Sequence, residues 1–201
     1  MSEAAWSRHG LEPFLGAATR QAADDKGLRI TVRGDLGHVN LRGAATDPKF
    51  VSAVEGVIQQ PLPLTPNTMS QDAHRVFWLG PDEWLVAAAA QQAAGIVQGL
   101  QQATSQMHAS VNDLSGGQVA LMLEGQGAHD LLAKGCTLDL HPQVFRTGDC
   151  AQSGLGRANI LLGAVDDAPT FIIVVRRSFS DYLCRWLAEA GQESAIAFSA
   201  S

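Results

Sequence analysis

Positive charge is scarce in this chain. It carries 14 lysines and arginines, and only Lys26, Lys49 and Lys134 are lysines, against 20 aspartates and glutamates, for a net charge of −6. A nucleic acid is held by rows of cations that displace its counterions, and without that footprint no nucleic-acid partner is expected. Long apolar runs are missing too. The longest, residues 84–90, falls far short of the roughly 20 residues that span a bilayer. The opening MSEAAWSRHGLEPFL places an acid early and has no basic stretch followed by an apolar core, so neither a secretory signal nor a membrane is expected, and the protein is expected to be soluble and cytoplasmic. Cys136, Cys150 and Cys184 form no C-x-x-C pair, and an odd count leaves no complete disulfide framework, which predicts reduced thiols.

Motifs for chemistry are equally thin. His9, His38, His74, His108 and His129 show no H-x-x-x-H or H-E-x-x-H spacing and read as surface or locally bonded residues. His141 lies near Asp139 and Cys150 in sequence, but the spacing fits no zinc pattern, so it reads as a structural histidine at a turn. The pairs Gly125/Gly127 and Gly154/Gly156 do not continue as G-x-G-x-x-G between a strand and a helix, and turn geometry accounts for them. Cys136 follows Gly135 at a helix end, where the dipole disfavours a thiolate, and Cys184 sits within an amphipathic helix; neither reads as a nucleophile. No catalytic, cofactor-binding or metal-ligating residue is expected in this chain.

What the chain does have is apolar content and repetition. At 46% hydrophobic it can bury a substantial core. GHVNLRGAATDPKFVSAVEGV (37–57) shares its order with GQVALMLEGQGAHDLLAKGC (117–136): a strand, a glycine turn and a helix. In the first, Val39 and Leu41 alternate with polar residues, and Phe50, Val54 and Val57 follow at helical spacing. In the second, Val119, Leu121 and Leu123 share one strand face, Ala128, Leu131 and Leu132 line a helix, and Gly135 is placed to stop it. Each copy leads into a hairpin, turning at Gly80-Pro81-Asp82 and at residues 166–169, and then into a second helix. The first of these, from Gln91 to about Thr104, turns Ala93, Ile96, Val97 and Leu100 inward; the second does so with Phe179, Tyr182, Leu183, Trp186, Leu187 and Ala190, capped by Ser178 and ended by Gly191.

The expected fold class is therefore α+β: pseudo-duplicated β-α-β-β-α units packed as one compact domain. Residues 1–26 form an N-terminal segment and 27–201 the domain, with halves at about 27–106 and 107–201. A strand at 28–33 would extend the first half and one at 109–114 the second, with 171–175 central. Two loops interrupt the plan. Residues 59–73 contain Pro61, Pro63 and Pro66, which cannot supply the donors of a central strand, so the loop is expected to be mobile or reserved for a partner. Residues 137–153 are either an interface loop or a connection.

NDLSGG, LMLEGQGAHDLLAKGC and LDLHP, together with RVFWLGPDEWLV (75–86) and RRSFSDYLCRWL (176–187), make the chain resemble the gamma subunits of bacterial heterotetrameric sarcosine oxidases over most of its length after about Gly27. The Asp113-Leu114-Ser115 triplet followed by the strand, Glu124-Gly125 and the helix is similar to the folate-binding fold of aminomethyltransferases. The resemblance implies a non-catalytic gamma subunit that packs on the alpha subunit, with beta and delta in the same complex. It also implies that FAD, FMN, NAD and tetrahydrofolate are held by other subunits. That complex oxidises the N-methyl group of sarcosine, giving glycine, hydrogen peroxide and formaldehyde or methylene-tetrahydrofolate. Two other readings stay open: a free-standing folate-binding transferase, disfavoured because that family carries a further C-terminal domain and this chain ends soon after its last helix, and the equivalent subunit of another N-methyl amine oxidase. Asp113 reads either as a ligand-cavity group or as a strand end whose carboxylate bonds local amides. Arg176 and Arg177 form a basic patch for an acidic partner or are simply solvated. Trp84 reads as core, and either Trp78 or Trp84 becomes an interface anchor if exposed.

Overall fold

A computed structural model describes residues 27–194 and 196–201. The expected N-terminal segment and His9 lie outside them. The described chain clusters into two compact units, each built on its own sheet.

After β1 (Leu28–Arg33) the chain enters the first unit, residues 35–116 with 148–151. It runs through β2 (Leu36–Arg42), α1 (Pro48–Ile58), β3 (Met69–Gln71), the hairpin β4 (Arg75–Gly80) and β5 (Glu83–Ala89), α2 (Ala90–Ala103) and β6 (Ser110–Asp113). Helix α1 starts where Asp47 accepts a hydrogen bond from the Lys49 amide at 2.9 Å and Pro48 fills a first-turn position that needs no donor. It stops where Gln59 turns left-handed at φ 57°. Its fully buried residues are Phe50, Val54 and Ile58, and Val57 is partly buried against the same core. The strands lie in the order β3-β4-β5-β2-β6. Val39 and Leu41 stand opposite Val86 and Trp84, and with Val76 they form one core with Phe50, Val54 and Ile58 of α1 and Ala93, Ile96 and Leu100 of α2. The alternate face is buried as well: His38, Phe77, Leu85 and Ala87 are all nearly inaccessible.

The second unit holds β1, residues 117–147 and residues 152–201. Its elements are β7 (Gln118–Glu124), the short α3 (Ala128–Ala133), β8 (Cys150–Leu155, whose first two residues belong to the first unit), the hairpin β9 (Ala158–Asp166) and β10 (Thr170–Arg176), a 3-10 turn at Arg177–Phe179, α4 (Ser180–Ala190) and β11 (Ile196–Ala200). The order β8-β9-β10-β7-β1-β11 repeats that of the first sheet, with β11 added in parallel beside β1. As expected, β10 is central: it pairs antiparallel with β7 on one side and β9 on the other, and residues 171–175 are buried.

The α+β class and the duplicated strand-helix-hairpin-helix plan are borne out. Each copy also contains an edge strand that was not foreseen, β3 and β8. The lead-in strands are exchanged relative to expectation: β1 pairs with β7, and β6 pairs with β2. Burial explains the exchange. Leu28, Ile30 and Val32 give β1 a fully buried face suited to an interior place, whereas β6 has no buried residue and takes an edge, where polar side chains meet water. Gly191 ends α4 as expected, but Ser178 does not cap it. The 3-10 turn intervenes, the helix starts at Ser180, and Phe179 is turned outward.

Candidate functional site

In the second unit, α3, the turn of the β9–β10 hairpin and the loop after α3 enclose a cleft of about 300 Å³. Its wall is aromatic. The Phe171 ring is met edge-on by His129 at 4.9 Å and 90°, and Phe145 stacks beside it at 6.5 Å and 21°. The lining also contains Asp166, Asp167 and Arg146. Asp166 Oδ1 accepts from the Ala168 amide at 2.9 Å, the local bond that shapes the turn, and Asp167 Oδ1 accepts from Thr147 Oγ1. Arg146 Nε donates to the Gln143 carbonyl at 3.0 Å. The Nδ1 of His129 is buried without a hydrogen-bond partner. Both rings are nearly inaccessible, Phe171 at 2% and Phe145 at 9%, so they pack on one another rather than stand open in the cleft.

A second cleft, about 520 Å³, opens in the first unit near the start of α1, beside Asp47, Lys49, Phe50, Met107 and His108. Its only carboxylate, Asp47, is committed to the helix cap. Among the described residues three large apolar side chains are exposed: Leu64 at 48%, Val144 at 60% and Phe179 at 40%. Two of them lie in the two interrupting loops.

The loop at 59–73 is strapped to its own unit rather than loose. Gln60 donates to Ser70 Oγ and the His74 carbonyl and accepts from the His74 amide, and the Leu62 amide reaches Glu55. Trp84 is fully buried, as expected, and its Nε1 donates to the Pro63 carbonyl at 2.8 Å. Trp78 is half-buried against the same core. In the 137–153 loop, His141 sits at a turn: its amide donates to Asp139, and its Nδ1 accepts from the Gln143 amide. Asp113 behaves as a strand end, its Oδ1 accepting from the Ser115 amide at 2.9 Å. Gly125 and Gly156 have φ of 122° and 59°, the turn conformations that favour glycine. Arg176 is exposed at the end of β10.

All three cysteines are free thiols in buried positions. Burial pushes Cys150 up to about 12, against a hydrogen bond to Trp78 that lowers it, and burial with the nearby Asp181 pushes Cys184 up to about 12. Among the described residues no group of three or more His, Cys, Asp or Glu is placed to hold a metal ion, and no helix is long and apolar enough to cross a membrane. Among the described histidines His38 departs furthest from the surface reading. His38 is 1% exposed, neither ring nitrogen has a hydrogen-bond partner, and desolvation lowers its pKa to about 4 despite the opposing pull of Asp113. Its place on β2 was visible in the sequence, but burial of the second sheet face was not.

Residues 42–193 match the sarcosine oxidase, gamma subunit family. The chain is 34% identical over 171 residues to sarcosine oxidase subunit gamma of Corynebacterium sp. (strain U-96), covering 85% of this chain and 76% of that one. It is 30% identical over 175 residues to the subunit of the same name from Arthrobacter sp., covering 86% and 78%. Among solved structures it resembles a chain of the heterotetrameric sarcosine oxidase from Corynebacterium sp. U-96 in complex with pyrrole 2-carboxylate, with a TM-score of 0.84, 27% identity, and 94% of this chain and 97% of that chain covered. Aminomethyltransferase T of the glycine cleavage system from Bartonella henselae shares the fold, at a TM-score of 0.63 and 14% identity, and this chain spans 48% of it.

Proposed function

We propose that this chain, which belongs to the sarcosine oxidase gamma subunit family, is the small subunit of a heterotetrameric sarcosine oxidase and contributes packing rather than chemistry. The observation that carries the reading is the match to one chain of that heterotetramer over 97% of the chain's length. In this reading the chain docks directly on the alpha subunit, with beta and delta in the same cytoplasmic complex. FAD, FMN, NAD and tetrahydrofolate are held by the other subunits, which oxidatively demethylate sarcosine to glycine, giving hydrogen peroxide and formaldehyde or methylene-tetrahydrofolate. This chain supplies no catalytic, cofactor-binding or metal-ligating group.

A protein that binds only the assembled form of its partner stabilises that form by mass action. The alpha subunit is therefore expected at low yield when this chain is omitted. Residues 27–201 act in this role as one duplicated domain, a reading supported by the repeated strand order and by a chain that passes between the two units at 34/35, 116/117, 147/148 and 151/152.

The test is recovery of the tagged chain from its own cells grown on sarcosine, with mass spectrometry and a visible absorbance spectrum of the eluate. A large flavin-containing complex with sarcosine-dependent peroxide production is expected. A colourless lone chain that binds tetrahydrofolate saturably would replace this reading with a free-standing transferase.

A further inference from the structure

We propose that the free edge of β6 is a docking edge for an extended strand of the large subunit on which this chain packs; the inference rests on the subunit reading above. The duplication shows what such an edge takes. In the second sheet β1 holds the place that β6 holds in the first, each pairing antiparallel with the strand that leads into the first helix of its copy. Strand β11 then covers β1 as a sixth, parallel strand, whereas among the described residues no strand stands in that place beside β6. The edge is open in its hydrogen bonds as well. The Leu114 amide donates to the His38 carbonyl at 2.8 Å, and by antiparallel alternation Asn112 and Ser110 also bond toward β2. Val111 and Asp113 therefore turn their amides and carbonyls away from the sheet. The Val111 carbonyl accepts from Gln101 Nε2 at a long 3.4 Å, and neither outward amide has an acceptor among the described residues. An incoming backbone supplies those acceptors, and main-chain pairing of this kind gives affinity.

Strand β6 is short, but it has no lysine, proline or bulge to blunt its edge. The surface beside it is uncharged. Between Glu83 and Asp113 the chain has no lysine, arginine, aspartate or glutamate, so α2, which packs on β6, exposes Gln91, Gln92, Gln98 and Gln102. The helix in the same place of the second unit, α4, carries Asp181, Arg185 and Glu189, so the fold itself does not impose the difference. Depletion of charge marks the buried part of an interface, because a charge buried without a partner is costly. The partner strand is therefore expected to run parallel to β6, as β11 runs beside β1, and to carry few charges.

The experiment follows backbone amide exchange in the full chain, alone and assembled with the remaining purified subunits. The Val111 and Asp113 amides are expected to exchange freely in the isolated chain and at least about tenfold more slowly in the complex. Two variants test the same edge by affinity. Val111→Pro removes one outward N–H and obstructs an incoming strand while leaving the bonds to β2, a place where an edge strand tolerates proline. S110K/N112K adds two lysines at exposed positions of β6 and is expected to unfold thermally like wild type. Both are expected to bind the other subunits about tenfold or more weakly, whereas A200K, at an exposed position of the β11 edge, binds like wild type. Unchanged exchange at both amides on assembly, or S110K/N112K binding as tightly as wild type, would overturn the docking edge while leaving the subunit reading intact. Slow exchange in the isolated chain would overturn it too, by showing the edge filled by this chain itself or, where protection grows with concentration, by a second copy. A wild-type chain that binds none of the other subunits would remove both.

Discussion

Trp84 and Phe171 hold the same place in the two sheets. Trp84 stands opposite Leu41 on β5 and β2, and Phe171 stands opposite Leu123 on β10 and β7. Trp84 is sealed: Phe50 of the 11-residue α1 packs on it at 5.9 Å, and Pro63 accepts from its indole. Phe171 is covered by His129 of α3, a helix of only six residues, and by Phe145 from the following loop, and a cleft remains beside it. Duplication supplies a common frame, and the element whose length changed decides which copy closes over this position and which leaves a cleft beside it.

The strongest way to break that comparison is truncation at the paired positions. Trp84→Ala is expected to cost about 3–5 kcal/mol, because it opens a cavity and strands a buried carbonyl. Phe171→Ala is expected to fall at the lower end, about 3 kcal/mol, because the cleft lets its surroundings collapse. Urea unfolding of both variants checks this, and a larger loss at Phe171 would contradict the sealed-versus-open contrast.

Next in size is acid sensitivity, which belongs to the first unit through His38. In the unfolded chain the imidazole takes up a proton near its ordinary value of 6.5, but in the fold only near 4, so its contribution is fully present above pH 6.5 and is lost as pH falls toward 4. The loss is of order 3 kcal/mol at most. Urea midpoints from pH 7 to pH 4.5 are expected to fall more steeply in wild type than in His38→Leu. Parallel slopes would show that His38 does not carry the effect.

A smaller test uses the glycines that follow the corresponding strands. A Cβ at Gly43 would run into the Phe50 ring, whereas Gly125 combines φ 122° with a Cβ position 2.8 Å from the Gly27 carbonyl. Alanine at either site is expected to cost about 1–3 kcal/mol. Adding Phe50→Leu to Gly43→Ala should recover part of that loss, and no side-chain change should rescue Gly125→Ala. The smallest contrast is at the helix starts. Asp47→Ala is expected to cost about 1 kcal/mol through the lost cap, and Ser178→Ala less than about 0.5 kcal/mol, since Ser178 caps nothing. Thermal unfolding resolves the pair.

These residues also show what the sequence made legible. Alternation in β2 and β7 and helical spacing in α1 and α2 are local signals, and they survive folding because each faces one core. The edge strands β3 and β8 were missed because one has only three residues in a proline-rich setting and the other runs through GDCAQSGL, which has no apolar alternation. Phe179 has the right helical spacing to be buried, but the 3-10 turn rotates it out before the helix begins. The cleft beside Phe171 was invisible for a different reason. His129, Phe145 and Asp166 to Phe171 belong to three separate segments, and none is unusual until tertiary structure brings them together. His38 was misread because polar residues in an alternating strand imply a wet face, and here both faces are dry.

The exchange of β1 and β6 has a consequence for the order in which the protein is made. As the chain leaves the ribosome, β1 waits for its neighbours among the described strands: β7 emerges at residues 118–124, and β11 only at residues 196–200. The first sheet likewise waits for β6 at residues 110–113 before β2 gains its second partner. The first sheet has all its strands once β6 has emerged, whereas the second waits for β11, and pairings this distant in sequence form slowly. The nascent chain therefore spends much of its translation with apolar Leu28, Ile30 and Val32 unpaired, the period in which a chaperone or an early-arriving partner has most to protect.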